Sequence, residues 1–197
     1  MAGAEIISNP SGSHHQLRKL NTRLNLIQNS SLRNACVYMY SNLKGCDGTR
    51  LYFDGSSMIT MNGAIYEQAE QFSIDDVEVN MAVVDLDCVR AQRLANQSRS
   101  NQTGEQSPNR IPKIYADIEI CREVNSLNSI SRAFECRIID PMDEIARGPA
   151  LWLWDQLRRT GARGYFLPLS GGADSSSTAA IIASMCNIVF KSIQDGN

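Results

Sequence analysis

The residues of this chain best suited to chemistry lie in Leu167–Ser177, LPLSGGADSSS. Gly171 and Gly172 let backbone N–H groups approach an anion, and Ser170, Asp174, Ser175 and Ser176 surround them with hydroxyls and a carboxylate. The apolar run Tyr165–Leu169 is expected to form a buried strand, and AAIIASMCNIVF, which follows Thr178, a helix. Strand, glycine turn and helix N-terminus together bind phosphate, because first-turn donors and the helix dipole favour negative charge. No lysine follows the glycines, so the loop is not a Walker A motif. The bland alternative is a strand-to-helix turn in which glycine serves packing alone.

Composition bounds the rest. The 197 residues are 43% hydrophobic with a net charge of −2, enough chain for a core in one or two domains. That balance carries no electrostatic footprint for nucleic acid or a membrane surface. No apolar run approaches the ~20 residues that span a bilayer, so no membrane is expected. The N-terminus has neither the basic start nor the apolar stretch of a signal peptide. Six cysteines show no Cys-x-x-Cys pair or framework spacing, which suits a reducing cytoplasm. His14 and His15 are adjacent and lack further ligands at metal-binding spacing.

These groups need elements to position them. The pattern predicts the end of a strand at Glu5–Ser8, a polar turn at Asn9–Ser13, a helix over about 16–31 and a strand at Ala35–Ser41. Gly45–Gly48 reads as a turn. Hairpin turns are expected at Asp54-Gly55 and, most strongly, at Asn62-Gly63. Val77–Asp85 is expected as a further strand, with Asp87 capping a helix to about Asn96 and an exposed polar connection over 97–113. Asp140-Pro141 starts a helix that Pro149 interrupts. Its second piece buries Ala150, Leu153, Trp154 and Leu157, places Arg158 and Arg159 near its C-terminus and ends at Gly164. The fold class is α/β: a hairpin-rich part over 1–115, a linker over 116–139, and from residue 140 the opening of a doubly wound unit.

Ser-Gly-Gly-x-Asp-Ser resembles the pyrophosphate-binding loop of ATP pyrophosphatases. With Gly3–Lys19 (containing SGSHH), Gly45–Gly63 (GCDG) and Gly148–Arg159 in order, the chain resembles the glutamine-dependent NAD(+) synthetase family, as a fragment. That resemblance implies the C-terminal part of a nitrilase-like α-β-β-α glutaminase domain, then the start of an adenine-nucleotide α-hydrolase-like synthetase domain. It implies a cytoplasmic ligase that activates deamido-NAD with ATP and Mg²⁺ as an adenylate and amidates it with ammonia from glutamine. Multimeric assembly with an ammonia path, a homo-oligomer, is implied as well.

By position, Pro168, Leu169, Ser170, Gly171, Gly172, Ala173, Asp174 and Ser175 match the family's ATP-binding loop. Ser170 is the expected catalytic group, as a phosphate hydrogen-bond donor and not a nucleophile, since no base accompanies it. Asp174 would hold Mg²⁺, or else cap the helix. Ser13 and Lys19 match glutamine-binding positions; their alternatives are a helix cap and a solvated charge. The family's Cys–Glu–Lys hydrolysis triad lies upstream of the segment matching GAEII, and Cys46 matches no nucleophile position. The isolated chain is therefore expected to be inactive. A non-catalytic interaction module is the second reading.

Overall fold

The computed structural model describes residues 3–95, 112, 114–118 and 129–196. Four strands form one sheet in the order β1-β2-β5-β6: β1 (Ile6–Ser11), β2 (Val37–Asn42), β5 (Met58–Met61) and β6 (Ala64–Gln68). β1 and β2 are parallel, joined by the helix α1 (Lys19–Asn34), while β2–β5 and β5–β6 are antiparallel. Short β3 (Lys44–Cys46) and β4 (Tyr52–Asp54) pair separately. The helices α2 (Leu86–Leu94), α3 (Pro141–Thr160) and α4 (Ala173–Gln194) complete the described elements.

Strand alternation gives the sheet two apolar faces. Leu20 and Ile27 of α1 pack on Tyr40 and Met58, and Val89 of α2 packs on Val37 and Met61. A third cluster joins Cys46, Tyr52 and Phe72 to Leu151 of α3. The Asn62-Gly63 turn behaves as its sequence demands. Both residues have positive φ, 51° and 89°, which matches the right-handed twist of the β5–β6 hairpin.

Several expectations move. Asn9, Pro10 and Ser11 belong to β1 and not to a turn, because parallel pairing with Ser41 and Asn42 extends the strand. Lys44–Cys46 is a strand, and Asp54-Gly55 is no hairpin turn, since β4 pairs with β3. Val77–Asp85 has no strand, and Asp85, not Asp87, caps α2 by accepting from the Asp87 N–H.

The Asp140 cap and Pro141 hold, but α3 runs unbroken through Pro149. One missing donor is tolerated where a helix has packing partners on one side. Gly161, at φ 68°, ends it in place of Gly164. The buried face is Glu144, Gly148, Ala150 and Leu151, one step round from the predicted stripe. Residues 97–111 and 113 of the expected polar connection and 119–128 of the expected linker lie outside the described residues. Further along, Phe134 N–H donates to Ile65 O and Arg137 N–H to Gln68 Oε1, which seats that stretch against β6.

Tyr165–Leu169 is not a strand. Phe166 is 94% exposed, and no described strand pairs with it, so the apolar run has no ladder to join. α4 also corrects the apolar-run argument. Its 22 residues, with mean hydropathy 1.3 over 18 of them, are long and apolar enough to cross a membrane. Serines and Thr178 break every uninterrupted apolar run without lowering the average enough to matter. Met185 of α4 is buried, and Ile188 packs against the Leu151 cluster.

Candidate functional site

Helix α3 brings the two halves of the chain together through polar groups on its buried side. The Glu144 carboxylate, 2% exposed, accepts from the Arg18 N–H at 2.9 Å and lies 3.0 Å from His15 Nε2. Arg18 Nη1 is 3.6 Å away and donates to Ile139 O. His15 stands edge-on to Phe72, 4.9 Å between centroids, with its ring against Gly148. Three turns along α3, Asp155 Oδ2 accepts from the Cys46 N–H at 3.1 Å and Arg159 donates to Cys46 O at 2.7 Å. Both backbone groups of one strand residue are thus held by one helix. Burial and the neighbouring Asp155 charge push the Tyr52 phenol up from its ordinary value.

Ser13 lies on the path from β1 to α1, beside the segment that Glu144 holds. Its N–H donates to Asn42 Oδ1 and its carbonyl accepts from Asn42 Nδ2. Ser13 caps no helix: the residue before α1 is Arg18, in the left-handed region at φ 64° with no side-chain cap. Lys19 Nζ donates to the carbonyl of His14 at 3.1 Å, so its ammonium lies next to the Ser13–His14 unit. A hydroxyl and a cation brought together this way suit the head group of an amino acid. Below them is a buried ion pair, Arg23–Asp54 at 2.8 Å, whose carboxylate also accepts from Gln71.

The glycine loop is a separate place. Gly171 has φ 82°, and Gly172 is the extended residue before α4. No side chain caps the helix, so the N–H groups of Ala173, Asp174 and Ser175 have no intrahelical acceptor. Ser170 Oγ lies 3.2 Å from Ser175 Oγ, which donates to Gly172 O. Asp174 sits in the first turn and is not the cap, which removes that alternative. Pro168 to Asp174 are exposed, and the loop lines neither of the two cavities that flank α3. It presents donors and one carboxylate on open surface. Among the described residues no three His, Cys, Asp or Glu side chains converge as for a metal.

One cavity, about 320 Å³, is polar and runs past Lys44, Cys46, Ser73, Asp155, Arg158 and Arg159. The other, about 390 Å³, is apolar, between Trp154 and Leu157 of α3 and Ile182, Met185 and Phe190 of α4.

No protein-family model matches the chain. It is 48% identical over 198 residues to the glutamine-dependent NAD(+) synthetase of Dictyostelium discoideum, covering 99% of this chain and 27% of that protein. The Saccharomyces cerevisiae enzyme of the same name is 47% identical over 198 residues, again 99% of this chain and 28% of the relative. The chain is homologous to a segment of the glutamine-dependent NAD(+) synthetases. It spans about a quarter of the length of the curated relatives it matches. The α/β fold agrees with theirs. The glutamine-dependent NAD(+) synthetase of Acinetobacter baumannii, solved in complex with adenosine diphosphate, superposes with a TM-score of 0.62 at 21% identity, covering 92% of this chain and 26% of that one.

Sequence reasoning found SGSHH, the GCDG turn, the Gly148–Arg159 helix and the glycine loop as separate segments. It missed Asn42, Glu144 and Asp155. An asparagine at a strand end and two acids on an amphipathic helix look like solvated residues until their partners, more than a hundred positions away for the acids, are known.

Proposed function

We propose that this chain carries part of the glutamine-binding surface and the ATP-binding loop of a glutamine-hydrolysing NAD(+) synthetase. The ligase would adenylate deamido-NAD, release pyrophosphate and displace AMP with ammonia taken from glutamine. The observation that carries this reading is the glycine loop, whose first-turn N–H groups have no side-chain cap among the described residues at the start of a 22-residue helix. Those donors suit the charge that builds on a departing pyrophosphate. Ser170 and Ser175 add hydroxyl donors, and Pro168, Leu169 and Gly171 to Ala173 shape the turn.

The donor set at the loop fits Mg²⁺ as that ion is usually held, by one carboxylate with phosphate oxygens supplying other ligands. Asp174 would be that carboxylate. When bound, the ion neutralises phosphate charge. Ser13 and Lys19 would hold the glutamine head group.

The domain reading follows the same division: a partial nitrilase-like unit over 1–115, a linker over 116–139 and the start of the synthetase unit from 140. A cytoplasmic setting is part of this reading, since the cysteine spacing shows no disulfide framework. These 197 residues alone would release no ammonia, because nothing in them matches the family's Cys–Glu–Lys triad.

The test is a chimera in which these residues replace the matching segment of the Saccharomyces cerevisiae enzyme. It should form NAD from deamido-NAD, ATP and glutamine, and Ser170→Ala in it should slow the reaction about 10²-fold, as for other lost transition-state donors. A folded chimera without activity would refute the reading.

A further inference from the structure

Asn42 ends β2, directly beneath Ser13, and its amide makes all four hydrogen bonds that an amide can. Oδ1 accepts from the Ser13 N–H at 2.8 Å and from the Tyr40 hydroxyl at 3.4 Å. Nδ2 donates to Ser13 O at 3.1 Å and to Gly55 O at 2.9 Å. A rotated amide would set its oxygen against two carbonyls and its NH₂ against an N–H, so the partners themselves fix its orientation.

The Gly55 carbonyl is aimed inward by an unusual turn. Gly55 and Ser56 both have positive φ, 67° and 59°, and Ser56 is fully buried with no hydrogen-bond partner for its hydroxyl among the described residues. A buried non-glycine residue held left-handed is backbone strain that the surroundings must enforce. Arg23 enforces it. Nη1 donates to Gly55 O at 3.2 Å and Nη2 to Ser13 O at 3.4 Å, while Asp54 balances the charge.

Apart from the Tyr40 hydroxyl on Asn42 and the Arg23–Asp54 pair, these bonds end on backbone atoms of Ser13 or of the turn beside it. Among the described residues, none reaches the Ser13 hydroxyl.

We propose that Asn42 is the residue that positions Ser13 for the amino-acid head group of glutamine, with Arg23 and the strained Gly55–Ser56 turn fixing Asn42 in place. The inference rests on the reading of Ser13 as a glutamine contact. Asn42 touches no substrate. Its effect passes through the Ser13 backbone, by holding both sides of that residue at once. Aspartate lacks the two donors, and leucine, although similar in size, has neither donors nor acceptors.

A double-mutant cycle on the full 197-residue chain tests this, with glutamine affinity measured by calorimetry. Ser13→Ala and Asn42→Ala should each weaken glutamine about tenfold, the loss expected for one good hydrogen bond. The double variant should be no weaker than either alone, because Asn42 has nothing to act on once the hydroxyl is gone. Losses that multiply to about a hundredfold would show an independent, merely structural Asn42 and overturn the proposal. If Asn42→Ala does not fold, the unmodified chain still decides. Its Asn42 side-chain amide resonances should move on glutamine titration with the same midpoint as the Ser13 amide, and an unmoved Asn42 would overturn the proposal. Failure of the unmodified chain to bind glutamine would overturn both the Ser13 reading and this one, whereas binding that Asn42→Ala leaves unchanged would overturn this one alone.

Discussion

Gly45 shows how one residue type can be required by another more than a hundred positions away. It has φ 99°, and a Cβ there would stand 2.9 Å from Asp155 Oδ2, the atom that accepts from the Cys46 N–H. Gly45→Ala should therefore cost about 1–3 kcal/mol through strain and a displaced Asp155, read as a lower denaturant midpoint. An unchanged midpoint would mean that α3 docks by its apolar face alone. Asp47, directly after β3, holds the turn to Leu51 and can be followed by pH. The Thr49 hydroxyl and the N–H groups of Thr49, Leu51 and Arg50 hold its carboxyl at about 2, below the ordinary 3.8. A depressed folded value means that the turn's contribution is fully present above about pH 4 and is lost as pH falls through about 2. Thr49→Val removes the first of these causes, so the Asp47 titration midpoint followed by carboxyl NMR should climb back toward 3.8. The sequence marked both residues as turn formers; Gly45 belongs instead to β3, and only Asp47 holds a turn.

At the scale of elements, legibility followed the range of the physics. The Asn62-Gly63 hairpin, the Asp140 cap and α1 were legible because dihedral preference, capping and apolar spacing act within a few residues. Strand partners were not. Tyr165–Leu169 reads as a buried strand and lies exposed, because strand formation depends on a neighbour that the segment cannot specify. The same limit hid β3, a three-residue strand inside a glycine turn. What the elements bury is a testable quantity. Met58, 1% exposed between Tyr40 and α1, should cost about 2–5 kcal/mol as Met58→Ala, seen in urea unfolding. A loss below 1 kcal/mol would show that the α1–sheet core is loose.

For the molecule as a whole, α3 is the member that gives the two candidate segments a common frame. Its Glu144 end grips His15 and Arg18 beside Ser13, its Asp155 and Arg159 end grips Cys46, and Gly161 releases the chain toward the glycine loop. After Gly161 the chain turns back, Tyr165 donating its hydroxyl to Leu153 O, and α4 lies alongside α3, with Ser184 Oγ donating to Ala146 O. The central claim is that backbone amides around Gly171–Ser175 receive the phosphates of ATP. Titrating the ¹⁵N-labelled chain with Mg²⁺–ATP tests it most directly. The account predicts that amides 171–175 shift together and saturably, that inorganic pyrophosphate reproduces the shifts, and that AMP does not. Amides that stay in place while ATP is present in excess, or shifts confined to residues outside the loop, would contradict it.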